Sequence, residues 1–122
     1  MTDAIFEITK AATFDAAHFI EQGAPDHRYR KLHGHSFRVE ASVRGPATEA
    51  GWVADLDQLD SQLRAVAVEL DHGLLNDRPG LESPTLERLC LYFADRLRPG
   101  FPGLSRIVVS RPTINESCAL AL

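Results

Sequence analysis

Two histidines, His33 and His35, open a run of residues whose polarity alternates with period two. On a β-strand, residues two apart project from the same side and lie roughly 7 Å apart, so two imidazoles can converge on one ion. A second alternating run ends in a third histidine, His18. Zinc in catalytic sites commonly takes three protein ligands and keeps one open position, which makes this trio a candidate zinc site. The alternative is that the three are hydrogen-bonded core histidines on apolar strand faces.

The two alternating runs predict β-strands over residues 4–14 and 33–44 that pair antiparallel. If the first strand stays regular beyond residue 14, His18 shares its apolar face. A long loop, residues 19–31, connects the strands, and loops of that length inside compact domains are typically functional. Its basic residues are Arg28, Arg30 and Lys31. This basic cluster is either ordinary solvated surface or a rim that attracts phosphate.

Apolar residues then recur at three- and four-residue spacing and predict an amphipathic helix over 56–69. Asp55 is a candidate N-cap for this helix, and Gly73 is a natural terminator after it. Asp71 and His72 are therefore expected at the helix end. There His72 is either an accessible acid–base group or a cation that interacts with the helix dipole.

A second helix is predicted to begin with Ser83 as its cap and Pro84 as its first residue, the favoured order for these types. Thr85 and Glu87 then lie in the exposed first turn. Cys90 falls on the apolar stripe of the helix and is predicted to be a core thiol.

Two further strands are predicted over residues 104–110 and 117–122, separated by a turn at 113–116. The order β-β-α-α-β-β predicts an α+β fold, with two helices on one face of a four-stranded antiparallel sheet. At 122 residues, the chain is expected to form a single domain over 1–122.

The composition excludes several classes of protein. A net charge of −4 argues against general nucleic-acid binding. No stretch is long enough to span a membrane, and the N-terminus lacks the layout of a signal peptide. The two cysteines are far apart and form no CxxC motif, which favours reduced thiols in a cytoplasmic protein.

Five short motifs occur in order along nearly the whole chain. They are Phe14-Asp15-Ala16-Ala17-His18, Leu32-His33-Gly34-His35-Ser36-Phe37, Gly51-Trp52-Val53-Ala54-Asp55-Leu56, Leu70-Asp71-His72 with Leu75-Asn76, and Pro84-Thr85-Leu86-Glu87. Together they resemble the motifs of the 6-pyruvoyl-tetrahydropterin synthase family. The likeness is closest to its bacterial branch, the 6-carboxytetrahydropterin synthases of the queuosine pathway.

This resemblance implies the tunnelling fold, in which subunits join their sheets into a barrel and two trimeric rings stack into a homo-hexamer. It implies that His18, His33 and His35 bind Zn²⁺, which holds hydroxyls of a dihydropterin side chain. It also implies that Asp71 orients His72, leaving the imidazole to act as a general acid or base.

The chain departs from the family pattern at two places. The family's catalytic cysteine stands four residues before the HGH motif, where this chain has Tyr29. Tyr29 or His27 would have to replace it as the proton-moving group. At the end of the third strand, a family glutamate that clamps the pterin ring is replaced by Arg111, which cannot accept those hydrogen bonds. Glu116 either takes over that role or is a solvent-exposed turn residue.

We therefore expect a zinc-dependent lyase of the 6-carboxytetrahydropterin synthase type, acting on 7,8-dihydroneopterin triphosphate or a related pterin. Thr85, Glu87 and Glu116 are expected to help hold the ring. Because of the two departures, two alternatives stay open. One is a lyase or aldolase that acts on a different pterin, and the other is a non-catalytic subunit that binds zinc and pterin.

Overall fold

The computed structural model describes residues 3–122 and confirms the predicted α+β fold. The strands are β1 (Phe6–His18), β2 (His33–Gly45), β3 (Leu104–Arg111) and β4 (Glu116–Ala121). The helices are α1 (Leu56–Leu70) and α2 (Leu86–Leu97). The four strands form one antiparallel sheet in the order β1-β2-β3-β4. Within the described residues, no helix is long and apolar enough to cross a membrane.

The register of β1 and β2 aligns their two apolar faces. Phe14 pairs with Phe37, and their rings stack with centroids 5.0 Å apart. Phe93 of α2 packs against Phe14 at 5.9 Å. The core therefore lies between one face of the sheet and the two helices, as expected from the period-two and helical patterns.

The first strand runs four residues beyond its predicted end at residue 14 and stops at His18. The whole segment pairs residue for residue with β2, and the last pair joins His18 to His33. This pairing continues the alternation, so His18 stays on the face of Phe14. The extension is what brings the third histidine to the other two.

The predicted start of α2 is wrong. Thr85 is the N-cap, because its hydroxyl accepts a hydrogen bond from the backbone nitrogen of Arg88 at 3.2 Å, and the helix begins at Leu86. The Ser83 hydroxyl is used elsewhere, since it accepts a hydrogen bond from the Gln22 amide at 2.8 Å. Ser and Thr are both good caps, and sequence alone cannot decide between two of them placed so close together.

The turn predicted at 113–116 lies one residue earlier in the structure. A 3₁₀ turn covers Pro112–Ile114, and Asn115 follows with a left-handed φ of 58°. Glu116 is then the first residue of β4 and pairs with Arg111 of β3. It is therefore a half-buried strand residue and not a turn residue.

Candidate functional site

His18, His33 and His35 converge at one end of the β1–β2 pair. Their candidate ligand atoms all lie within 4.8 Å of one another. The ring centroid of His18 is 4.6 Å from that of His33 and 5.0 Å from that of His35. The core face of the sheet ends here, so the imidazoles follow directly after the stacked Phe14 and Phe37.

Hydrogen bonds fix the orientation of two of these rings. Nδ1 of His18 lies 3.1 Å from the Pro84 carbonyl, and Nδ1 of His33 lies 2.6 Å from the Lys31 carbonyl. A carbonyl only accepts, so each Nδ1 carries the proton and each Nε2 keeps its lone pair. All three Nε2 atoms are buried and have no hydrogen-bond partner. Three buried, unpartnered nitrogens close together, with the opposite nitrogens of His18 and His33 tied to carbonyls, suit a tetrahedral metal such as zinc.

The electrostatics of the site agree with metal binding. Burial above all, with smaller effects of His33 and His35, lowers the pKa of His18 to about 4, although the bond to the Pro84 carbonyl opposes the shift. Burial, followed by the charge of Arg111, lowers the pKa of His35 to about 4. Both imidazoles are therefore neutral at physiological pH, the form that binds a metal.

Tyr29 is held beside the three histidines by a short 3₁₀ turn, Arg28–Arg30. Its ring stacks on His33 with centroids 5.3 Å apart, and it also lies 6.3 Å from the ring of His35. His27 caps the turn, because its Nδ1 accepts a hydrogen bond from the backbone nitrogen of Tyr29 at 3.2 Å. His27 is itself exposed, and its ring lies against Tyr29 with centroids 5.3 Å apart.

Glu116 reaches the same cluster from β4. The Tyr29 hydroxyl donates to the Glu116 carboxylate, with distances of 3.3 and 3.2 Å to its two oxygens. Nε of Arg111 lies 3.1 Å from Glu116 Oε1. This contact is an ion pair without a directed hydrogen bond, since neither Nε nor Nη1 of Arg111 has a hydrogen-bond partner.

Asp71 and His72 form a second group, at the outer edge of β1. Nδ1 of His72 is 2.8 Å from Asp71 Oδ2, and the other Asp71 oxygen accepts from the backbone nitrogen of Asp15 at 2.9 Å. The His72 backbone nitrogen donates in turn to the Asp15 carbonyl at 2.6 Å. The hydrogen bond that His72 donates to Asp71 raises the pKa of His72, and the pKa of Asp71 is lowered by the bonds it accepts from Asp15 and His72.

His72 borders an open cavity of about 550 Å³ whose wall also includes His35 and Ser36. Ser36 donates to the Asp15 carboxylate at 2.5 Å, and both residues alternate with core residues on their strands. They therefore point to the side of the sheet away from the core. Within one chain, His72 and His35 belong to two separate groups of side chains, and both residues line this cavity.

The remaining predicted residues lie at the edges of the site. The Thr85 hydroxyl is used as the cap of α2, directly after the Pro84 whose carbonyl orients His18. Glu87 is exposed in the first turn of α2. In the basic cluster, Arg30 donates to the Glu21 carbonyl within its own loop. All three basic side chains are exposed, so the choice between a solvated loop and a phosphate rim stays open.

Several groups that position the site residues were not predicted from the sequence. The carbonyls of Lys31 and Pro84 orient two histidines, and no sequence signal marks a backbone acceptor. Asp15, within the first motif, carries the backbone bonds that position Asp71 and His72. Asn76 ties the end of the β1 segment in place, because its side chain bonds both the nitrogen and the carbonyl of Phe19, at 3.1 and 2.9 Å.

Comparisons with known proteins agree on one family. The model of the 6-pyruvoyl tetrahydropterin synthase family matches residues 7–121. The chain is 40% identical, over 111 residues, to the 6-carboxy-5,6,7,8-tetrahydropterin synthase of Synechocystis, which covers 84% of this chain and 83% of that protein. It is 36% identical, over 92 residues and 75% of each chain, to the dihydroneopterin monophosphate aldolase of Pyrococcus furiosus.

Solved structures support the fold. The 6-pyruvoyl tetrahydropterin synthase of Caenorhabditis elegans superposes with a TM-score of 0.85 at 20% identity, covering 98% of this chain and 96% of that one. The Plasmodium vivax 6-pyruvoyltetrahydropterin synthase superposes with a TM-score of 0.73 at 21% identity, covering 97% and 98%. At such identities the likeness concerns the fold alone.

Proposed function

Because this chain belongs to the 6-pyruvoyl tetrahydropterin synthase family, we propose that it is a zinc-dependent enzyme that converts 7,8-dihydroneopterin triphosphate or a related pterin to a tetrahydropterin. The observation that carries the proposal is the convergence of three buried, unpartnered Nε2 atoms, on His18, His33 and His35. Imidazole nitrogens in this arrangement suit Zn²⁺, and three protein ligands leave a position open for substrate.

When bound, zinc would supply Lewis acidity toward the hydroxyls of the pterin side chain. The chain's own contribution begins with the carbonyls that orient His18 and His33, which keep the Nε2 lone pairs directed at one point. The protons would be moved by His72. Its bond to Asp71 fixes which ring nitrogen faces the carboxylate and leaves Nε2 directed outward as the acid–base atom.

Tyr29 is the better candidate for the proton-moving role that a cysteine fills elsewhere in the family. Its ring stacks on His33 and its hydroxyl bonds Glu116, whereas His27 is exposed and its Nδ1 accepts the hydrogen bond that caps the turn. The His27 imidazole remains a second candidate, since its ring lies against that of Tyr29 with centroids 5.3 Å apart and imidazole is a common acid–base group in enzymes.

The ring of the substrate would be held by Glu116, with Thr85 and Glu87 at the start of α2. Glu116 is the strongest of the three candidates because its carboxylate faces the cluster and is oriented by Tyr29 and Arg111. A carboxylate that accepts two hydrogen bonds suits the adjacent N–H groups of a pterin ring.

A second candidate function is an aldolase-type cleavage of the pterin side chain. Two observations favour it. One is the 36% identity to the relative named dihydroneopterin monophosphate aldolase, and the other is Tyr29 at the place of the family cysteine. Both reactions need a metal-bound side chain and an acid–base residue, so one site can serve either of them.

The proposed assembly is the homo-hexamer expected for the family. The outer edge of β4 carries no further strand within the described residues, and the outer edge of β1 has a single bridge, from Ala17 to Leu74. Exposed strand edges are normally covered, and pairing β1 of one copy with β4 of the next would cover both. Native mass spectrometry of the purified protein would test this assembly.

The deciding experiment is turnover by the purified, zinc-loaded protein, with products identified by mass spectrometry. Its substrates are 7,8-dihydroneopterin triphosphate, the monophosphate and unphosphorylated dihydroneopterin. A 6-carboxy- or 6-pyruvoyl-tetrahydropterin product supports the first function, and preference for the monophosphate with side-chain cleavage supports the second. Pterin binding with no product from any substrate would contradict both and leave a non-catalytic binding subunit.

A further inference from the structure

Arg111 is a buried cation with two side-chain nitrogens, Nε and Nη1, that have no hydrogen-bond partner in the chain. The residue is only 5% exposed. Its Nη1 is buried without a hydrogen-bond partner, and its Nε has only the ion-pair contact with Glu116 at 3.1 Å. Leaving a charged donor buried and unpaired is costly, so a folded protein that keeps one normally satisfies it with something outside the chain.

The register places Arg111 beside the candidate metal site. Val109 pairs with Val39, so Arg111, two residues further along β3, lies on the same core face at the level of the stacked phenylalanines. Its charge acts on His18 and His35, and its guanidinium carbon lies 5.6 Å from the centre of the Tyr29 ring. The unpaired donors therefore belong to a guanidinium that lies on the same face of the sheet as the histidine cluster and beside Tyr29.

The charge of Glu116 decides what kind of ligand this is. A free guanidinium attracts phosphate, but here a carboxylate oxygen lies 3.1 Å from Nε and also accepts from Tyr29. An anion bound at Arg111 would be repelled by that carboxylate in a buried, low-dielectric place. A neutral group that presents an acceptor beside a donor would satisfy both partners at once.

We propose that Arg111 and Glu116 together recognise the cyclic amide of the substrate's heterocycle. Arg111 donates a hydrogen bond to the ring carbonyl, and Glu116 accepts one from the adjacent N–H. This inference rests on the proposed function and makes Arg111 a specificity-determining residue of the same site. It also explains why an arginine can stand where the family resemblance expects an acceptor. Glu116 of the neighbouring strand supplies the acceptor, and Arg111 donates to the ring carbonyl beside the N–H group.

Two ring probes test the inference by fluorescence titration of the zinc-loaded protein. Pterin has the carbonyl and the N–H, whereas 2,4-diaminopteridine replaces the carbonyl by an amino group and loses that N–H. We expect the wild type to bind pterin roughly 10- to 100-fold more tightly, the usual effect of a hydrogen bond to a charged group. The substitution Arg111→Met should remove most of this preference by weakening pterin binding alone.

Arg38→Met is the matched control, because Arg38 is exposed, lies on the other face of the sheet and pairs with Glu40. It should leave the preference unchanged. Zinc content and melting temperature report whether Arg111→Met is folded. If it is not, equal affinity of the wild type for the two rings would still overturn the inference.

Each contrary result has a distinct meaning. Equal affinity of the wild type for both rings would overturn this inference and leave the proposed function standing. Binding of neither ring would overturn the proposed function as well. Competition by inorganic triphosphate that depends on Arg111 would place an anion at the guanidinium, and dissociation of the oligomer by Arg111→Met would place a second copy there. Either result would overturn the assignment to the ring carbonyl.

Discussion

The Tyr29 hydroxyl donates to the carboxylate of Glu116, at 3.2 and 3.3 Å, although 87 residues separate the two in the chain. The contact joins the loop before β2 to the first residue of β4. It fixes the direction of the phenolic proton while the ring stacks on His33. Arg28 Nη2 donates to the same phenolic oxygen at 3.4 Å, which leaves one lone pair to accept from a substrate, as a proton-moving group needs.

Removing the phenolic oxygen should slow the reaction without disturbing the metal site. In Tyr29→Phe the ring can still stack on His33, so zinc content should stay at the wild-type value. We expect kcat to fall by about 10²-fold or more, the usual contribution of a general acid or base. Steady-state kinetics on the best substrate, together with metal analysis, would check this.

His27→Asn separates the two candidates for the proton-moving role. Asparagine keeps an acceptor for the cap of the 3₁₀ turn, so Tyr29 should hold its position, but the imidazole is gone. Near-wild-type turnover is expected. A larger loss in His27→Asn than in Tyr29→Phe would transfer the role to His27.

The histidine cluster should control zinc binding and, through it, stability. We expect His35→Gln to retain only a small fraction of the wild-type zinc, as measured by mass spectrometry of the metal. In the wild type, removing zinc with a chelator should lower the melting temperature on the order of 10 °C, the effect of losing a ligand present at about 100 times its dissociation constant. The chelator should change little in His35→Gln. Full zinc occupancy in this variant would argue against His35 as a ligand.

The fold was predictable where polarity follows a clear period. Alternation placed Phe14 and Phe37 on one face, and the helical stripe identified Cys90 as a core residue, which is 1% exposed. The boundaries were less accurate because neighbouring residues compete for the same role. Ser83 and Thr85 both suit a cap, and only the tertiary bond from Gln22 to Ser83 decides between them.

The candidate site was predictable in its residue types and less so in its contacts. The three histidines follow from strand spacing, since the period-two rule states which side chains share a face. The pairing of Arg111 with Glu116 depends on the length of the turn before β4, and local sequence sets turn length only loosely. The grouping of His72 with Asp15 depends on the close approach of a helix end to a strand edge, which no local pattern encodes.

The Asp71–His72 pair predicts a pH dependence with a definite sign. Asp71 raises the pKa of His72 above its usual 6.5, so the ion pair's stabilisation is fully present below that pH and is lost as pH rises through the raised value. The pKa of Asp71 is lowered from 3.8, so its contribution is lost only as pH falls through the lowered value. We expect Asp71→Asn to shift the NMR titration of His72 to lower pH. If His72 acts as the acid, the alkaline limb of the kcat profile should shift with it.

Ser36→Ala provides the control for this pair. It removes the hydroxyl that bonds Asp15 and leaves the direct contact between Asp71 and His72. The His72 titration should therefore move much less than in Asp71→Asn. An unchanged titration in Asp71→Asn would mean that the contact does not persist in solution.

Cys90 should be inert, even though the family's chemistry normally uses a cysteine. Burial raises the pKa of its thiol to about 12, with the neighbouring Cys118 adding to the effect, so no useful thiolate fraction exists at neutral pH. Cys90→Ala should keep wild-type turnover and cost about 1 kcal/mol in the free energy of unfolding, the effect of deleting a methyl-sized group from a core. Iodoacetamide should modify the half-buried Cys118 before Cys90, as peptide mass mapping of the native protein would show. A folded Cys90→Ala variant without activity would return the proton-moving role to a cysteine and remove the need for Tyr29.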